Sequence, residues 1–254
     1  MIGLISGSGF YDLELEHAQD CEIQNEFGSV KLRKGELNGV AVVFYSRHGE
    51  YHQRLPSMLN YRAYMKAMKD MGVELLIATS VCGVLKQEIP LGKLLLFEDT
   101  FFPDNRLPSG ELCTIHTREA DPDRGHLIAA SLINQQANKH LESLDAVREL
   151  TYAHVNGPRL NSKAEIRFFS QCADVISQTC GPEAVLAGEL EIPYALLGFG
   201  VDYANGVSEI PTSIDELNQN MVLSKDVFNE AIQHLLTCDL PSFEGFNYRF
   251  NHHE

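Results

Sequence analysis

Tryptophan is missing from this 254-residue chain, and positive charge is scarce: 20 Lys and Arg stand against 35 Asp and Glu. The formal net charge of −15 excludes nucleic acid and anionic membrane as main partners, since the field of the whole protein repels both. A small anion is not excluded, because a few local cations and backbone N–H groups outweigh a distant field. No apolar run approaches the length of a membrane span, about 20 residues. No basic segment followed by an apolar stretch opens the chain, so a secretory leader is not expected. None of the six cysteines (Cys21, Cys82, Cys113, Cys172, Cys180 and Cys238) stands in a Cys-x-x-Cys pair. Most have apolar neighbours, which points to reduced thiols in a cytoplasmic protein rather than a disulfide framework. The dinucleotide fingerprint is absent too: Gly7-Ser8-Gly9 lacks the third glycine, and Asp12 stands in its place.

What is present suits a soluble globular protein with a large core: 44% hydrophobic and 22% charged residues. Short apolar, β-branched runs at Met1–Ser6, Val40–Tyr45, Glu74–Ser80, Lys93–Glu98, Thr151–Asn156, Asp174–Ser177 and Tyr194–Val201 read as strands. Tyr61, Tyr64, Met65, Met68 and Met71 recur at helical spacing and give one apolar face. Lys163–Cys172, Pro182–Leu190 and Ser224–Leu236 read as further helices, with Pro182 suited to a first turn. Strand and helix alternate, which predicts a single α/β domain over 1–254 with a central, mostly parallel or mixed sheet flanked by helices. Pro103–Gly110 and Thr117–Gly125 read as polar loops, and Asn247–Glu254 as a mobile tail.

Chemistry-bearing residues gather where strands end. Gly7-Ser8-Gly9 after the first strand is a tight turn, or a loop that lets backbone and the Ser8 hydroxyl approach a phosphate. Arg47-His48-Gly49 follows the second strand; a guanidinium and an imidazole there clamp an anion or form a surface salt bridge. His52, four residues beyond His48, suggests a metal pair, but Gly49 disfavours a helix and no third ligand is evident. Thr79-Ser80-Val81-Cys82-Gly83 ends another strand with hydroxyls, where open α/β sheets bind ligands. Between Asn156 and Glu165 a strand passes into a helix. Ser162 and Glu165 have the spacing of a capping box, while Leu160 and Asn161 are left to face a ligand. Ser177–Glu183 passes into another helix, with Glu183 in its first turn favourable to the helix dipole whatever the function. Asp202 follows the long apolar strand and is a candidate acid if burial raises its pKa.

Taken in order, these segments resemble the trimeric purine nucleoside phosphorylases, most closely their methylthioadenosine and methylthioinosine phosphorylase branch. The resemblance runs from Ile2 to about Leu217. It is carried by Gly7-Ser8-Gly9, Arg47-His48-Gly49, Asn60-Tyr61-Arg62-Ala63, Gly157-Pro158-Arg159 and Pro182-Glu183-Ala184. It implies a nucleoside phosphorylase fold and phosphorolysis of a purine nucleoside, 5′-methylthioadenosine ahead of a 6-oxopurine nucleoside. Ser8, Arg47, His48, Ser80 and Thr179 would hold phosphate. Val81 and the backbone of Gln178 would line the ribose, and Leu160, Asn161, Asp202 and Asn205 would meet the purine. Asp202 and His48 are the implied catalytic groups. His116 would reach a neighbouring subunit's 5′ pocket in a homotrimer, and a 5′-methylthio group would want a small apolar pocket to which Ile214 and Leu217 could contribute. Phosphate is a co-substrate, and no metal or organic cofactor is implied.

The sequence also departs from that pattern. Ala204 stands where aminopurine enzymes carry a second Asp, Asn161 fits neither the amino nor the oxo pattern, Gln178 replaces a methionine, and Val84 a small or hydroxyl residue. Both purine classes therefore stay open, as does a non-catalytic relative that binds a purine without turnover.

Overall fold

The computed structural model describes residues 1–8, 10, 13–49 and 52–249. In chain order the strands are β1 (Ile2–Ser6), β2 (Glu16–Asn25), β3 (Gly28–Leu37), β4 (Val40–Ser46), β5 (Leu75–Val84), β6 (Leu94–Phe101), β7 (His126–Ala129), β8 (Ala146–His154), β9 (Val175–Ser177), β10 (Tyr194–Tyr203) and β11 (Gly245–Tyr248). The helices are α1 (Tyr61–Asp70), α2 (Gln135–His140), α3 (Lys163–Phe169), α4 (Cys180–Glu189) and α5 (Ile214–Leu236).

Nine strands form one mixed sheet in the order β10-β6-β8-β9-β5-β1-β4-β3-β2, and β10 also pairs with β5. Strands β5, β10, β6, β8 and β9 thus close on themselves into a ring, which leaves no free edge there. β1, β4, β3 and β2 extend from β5 as an open arm. β1 lies parallel between β4 and β5, and all five of its residues are buried. A continuous apolar run is what a strand covered on both faces requires.

Apolar residues pack on both faces of the sheet. Along β10, Tyr194 and Leu196 enter one core with Tyr64, Met65 and Met68 of α1 and Leu186 of α4. The alternate residues Ala195, Leu197 and Phe199 enter a second core with Phe228, Ile232 and Leu235 of α5. This is the two-residue period of a strand serving two layers. Asn60 starts α1 by accepting from the Ala63 N–H. The buried face of α1 carries Tyr61, Tyr64, Met65 and Met68, each contributing about 1.5–3 kcal/mol of burial.

The strand and helix expectations hold in position, the short α2 is an addition to them, and four further differences stand out. β5 does not stop at Ser80. β1 pairs with it only as far as Ala78, but β10 continues the pairing to Val84 and β9 joins the other side only at Gly83, so Thr79–Cys82 is strand with one side uncovered. α5 begins at Ile214, ten residues before the apolar repeat, because Ser213 caps it by accepting from Glu216 N–H. β2 and β3 form a polar hairpin, and β7 and β11 a separate two-stranded sheet. The last of these corrects the tail. Asn247 is buried and its amide donates to the Glu189 carbonyl at 3.0 Å, so residues 247–249 are tied down, and 250–254 lie outside the described residues. No described helix is long and apolar enough to cross a membrane.

Candidate active site

The parallel strands β1, β4, β5 and β10 deliver their carboxyl ends to one side of the sheet, where such folds bind ligands. A cavity of about 470 Å³ opens there. Ser8, Arg47, His48, Ser80, Val81, Leu160, Asn161, Gln178, Thr179, Asp202 and Asn205 all line it. Residues scattered over almost the whole chain are thereby brought together. Gly9 and Asp12 lie outside the described residues.

Arg47 leaves β4 with its N–H on the Ser6 carbonyl at 3.1 Å, which sets it beside β1. Its side chain is fully buried, so the surface salt bridge is excluded. Nε reaches Glu183 Oε1 at 2.5 Å and Nη2 reaches Oε2 at 2.6 Å. Nη1 donates to the Thr79 carbonyl at 2.7 Å. Burial alone would lower the guanidinium pKa, but the Glu183 charge overrides it and holds Arg47 well above its ordinary range. Gly7 keeps this approach open, because a Cβ there would crowd Arg47 Nη1 at 3.0 Å. Its N–H also donates to Thr79 Oγ1 at 3.4 Å.

His48 is buried, and its Nδ1 lies 2.7 Å from the Arg54 carbonyl. A carbonyl can only accept, so Nδ1 carries a proton. Burial pulls the His48 pKa down to about 4, so at neutral pH Nε2 is an acceptor. The His48 ring stacks on His52, with centroids 4.3 Å apart; both line the cavity, and no His/Cys/Asp/Glu group able to hold a metal occurs among the described residues.

Hydroxyls complete this end of the cavity. Ser80 Oγ lies 3.2 Å from Ser177 Oγ, and Ser177 in turn donates to the Val81 carbonyl at 2.9 Å. Thr179 occupies the N-cap of α4 without capping it, and its hydroxyl meets only the Cys180 sulfur at 3.5 Å.

Asp202 reaches the cavity through a bulge. Gly200 pairs with Cys82 and Asp202 with Gly83, so Val201 is an extra residue in β10. Bulges of this kind re-aim side chains beside functional sites. Burial raises the Asp202 pKa to about 6. Two residues on, Ala204 packs with Ala153, Ile166 and Ile176. Asn205 donates its amide to the Asn161 carbonyl at 2.7 Å, and Ser162 and Glu165 form the expected capping box on α3. The Gln178 side chain is bound within the protein: Nε2 donates to the Arg159 carbonyl at 3.0 Å. A Cβ on Gly157 would sit 2.0 Å from Gln178 Oε1, so Gly157 is what lets this side chain lie against the loop.

Several expectations change. Glu183, read as a dipole-compensating residue, is fully buried and bonded to Arg47, Tyr64 and Tyr194. Nothing local in the sequence signals a partner 136 residues away. Leu217 lines the cavity, joined by Met221, Leu55 and Pro56, whereas Ile214 is 76% exposed and outside it. His116 does not line this chain's own cavity, which leaves its expected place in a neighbouring subunit's pocket untouched; its Nδ1 lies 3.7 Å from Asp121 Oδ2, and Nε2 is buried without a hydrogen-bond partner among the described residues.

The site thus joins hydroxyls and a guanidinium at one end with a half-buried acid and carboxamides at the other. The model of the phosphorylase superfamily matches residues 1–237. A probable 6-oxopurine nucleoside phosphorylase of Dictyoglomus turgidum is 32% identical, covering 94% of this chain and 90% of that protein. An S-methyl-5′-thioadenosine phosphorylase of Drosophila melanogaster is 36% identical, over 80% of this chain and 73% of that one. The crystal structure of a methylthioadenosine phosphorylase from an antarctic soil metagenomic library superimposes with a TM-score of 0.80 at 27% identity, covering 92% of this chain and 84% of that one. By sequence and by fold, the chain belongs to the phosphorylase superfamily.

Proposed function

We propose that this protein cleaves a purine nucleoside with inorganic phosphate, and that the substrate is 5′-methylthioadenosine. The observation that carries the reading is that Asp202, its pKa raised to about 6 by burial, shares one cavity with Ser8, Arg47, Ser80 and Thr179. In this reading the four donors hold phosphate beneath the sugar. A phosphate oxygen bonds to C1′ as the C1′–N9 bond breaks, and the bonding electrons leave with the purine. Asp202 gives its proton to N7, so the base departs neutral, a general-acid contribution of roughly 100-fold or more. Neutral His48 accepts from a protonated phosphate oxygen and orients the nucleophile; positioning and electrostatics do the rest. The chemistry needs no metal or organic cofactor. Leu217, Met221 and Leu55 give the cavity an apolar wall that suits a methylthio group.

A 6-oxopurine substrate is the second reading. Ala204 leaves no second carboxylate beside Asp202, and with Asn205 spent on the Asn161 carbonyl, the Asn161 amide can face either a 6-oxo or a 6-amino group. The same proposal treats the chain as one nucleoside phosphorylase domain in a cytoplasmic homotrimer serving purine salvage, with His116 meeting a neighbouring subunit.

The test is incubation with methylthioadenosine, methylthioinosine, adenosine and inosine, with and without phosphate, followed by chromatography of the released base. Phosphate-dependent adenine release is expected. Hypoxanthine alone selects the second reading, and no release from any of the four points to a purine-binding relative without turnover.

A further inference from the structure

We propose that Glu183 is a positioning residue of the anion site, acting through Arg47 and touching no substrate itself. The inference rests on Arg47 facing phosphate in the reading above. A guanidinium has five N–H donors, and four are accounted for in the protein. Nε and one Nη2 hydrogen go to Glu183, the other Nη2 hydrogen meets Cys180 Sγ at 3.5 Å, and one Nη1 hydrogen goes to the Thr79 carbonyl. The fifth, on Nη1, has no acceptor among the described residues. Nη1 is close to Gly7, 3.0 Å from where a Cβ there would stand, and Gly7, Ser8 and Arg47 all line the cavity.

Glu183 fixes which hydrogen that is. Its two oxygens take four donors: Oε1 accepts from Arg47 Nε and from Tyr64 Oη at 2.7 Å, and Oε2 accepts from Arg47 Nη2 and from Tyr194 Oη at 2.7 Å. Burial first, and negative neighbours after it, push both phenols well above their ordinary range, so they remain donors. The fork-to-fork pair is planar and bidentate, which locks the rotation of the guanidinium as a single contact would not. Glu183 also balances the Arg47 charge. The anion is then held by one aimed N–H and the hydroxyls of Ser8, Ser80 and Thr179 rather than by excess positive charge.

The experiment measures inorganic phosphate binding by calorimetry, together with kcat and both KM values, for the wild type, Glu183→Gln, Arg47→Lys and the double variant. In Glu183→Gln one acceptor oxygen becomes a donor, so one of the two contacts to Arg47 is lost. The expected result is about tenfold or greater weakening of phosphate in both Kd and KM, the scale of one lost charge-assisted bond. The nucleoside KM stays near the wild-type value, and the double variant is no weaker for phosphate than Arg47→Lys alone. Unchanged phosphate affinity in a folded Glu183→Gln, or equal loss in every constant, overturns the proposal. Should that variant fail to fold, Tyr64→Phe with Tyr194→Phe strips two donors from the carboxylate and leaves the pair. A selective weakening of phosphate supports the proposal there, and wild-type affinity overturns it. A wild type that binds phosphate but splits no nucleoside defeats the proposed function while the calorimetry still judges Glu183.

Discussion

Asn205, just beyond β10, donates its side-chain amide to the backbone carbonyl of Asn161, 2.7 Å away, just before α3. One hydrogen bond thus ties the segment after the candidate acid to the loop that bounds the cavity opposite it. In Asn205→Ala the loop loses this anchor. The nucleoside KM should rise about three- to tenfold, the range for one lost hydrogen bond, with phosphate KM unchanged. Initial rates at varied nucleoside and phosphate separate the two; a parallel rise in both would defeat the assignment.

Asp202 makes two opposed predictions. As a general acid it works protonated, so kcat/KM should fall as pH rises through about 6, set by burial. Its effect on stability follows from the same raised pKa. The folded state holds the proton between the unfolded value near 4 and the folded value near 6. Folding is therefore favoured by that proton at low pH, and the contribution is lost as pH rises across the window. At pH 7 the buried charge is a cost of up to about 3 kcal/mol, at 1.36 per pKa unit. Asp202→Asn should lower turnover sharply yet raise Tm at neutral pH. A variant both slower and less stable would show that Asp202 is held by interactions other than burial.

The histidines pull the other way. His154 is buried, and neither ring nitrogen has a well-formed hydrogen bond among the described residues; burial lowers its pKa to about 3 against a weak opposing contact with Asn156, and His48 is lowered to about 4. In both, the unfolded chain takes up a proton near pH 6.5 that the fold refuses. Their contribution is fully present above that pH and is lost as pH falls towards 4 and then 3. Thermal unfolding between pH 7 and pH 4 should show a falling Tm. In His154→Leu, which removes the unpartnered nitrogens, the slope should flatten. An identical slope in wild type and variant would remove His154 from the account.

Ser162 offers a prediction confined to structure. It caps α3 in a reciprocal box with Glu165, and Ser162→Ala should cost about 1 kcal/mol in urea unfolding. The same Glu165 also binds Arg159 through both carboxylate oxygens, so Glu165→Ala should cost more than the cap alone and shift the nucleoside KM as the 157–161 loop loosens. Equal effects of the two variants would mean that the Arg159 contact contributes nothing.

The buried strands and the apolar face of α1 were legible because a covered strand must be continuously apolar and a half-buried helix must repeat every three to four residues. The hairpin β2–β3 was not, since nearly all of β2 faces solvent and its polar residues look like loop. The exposed first half of α5 hid in the same way, although Ser213 and Glu216 carried a readable start signal. Among site residues, Ser8 and Arg47 could be found because each follows a strand, and Asp202 because it ends the apolar run of β10, although the strand itself continues to Tyr203. Glu183 and Gln178 could not be understood locally: their partners, Arg47 and the Arg159 carbonyl, exist only once distant segments have met.

The closed ring of strands has a bearing on how the molecule is made. β10 sits between β5 and β6, and it is the last of the ring's members in chain order. A chain leaving the ribosome from its N-terminus presents Ser8, Arg47 and Ser80 long before the strand that closes the ring exists. Throughout that interval β5 and β6 have unpaired backbone on the sides that β10 will occupy. Synthesis must therefore pass Tyr203 before the cavity has its acid wall, and the nascent protein gains that wall and pairs the open sides of β5 and β6 in the same event.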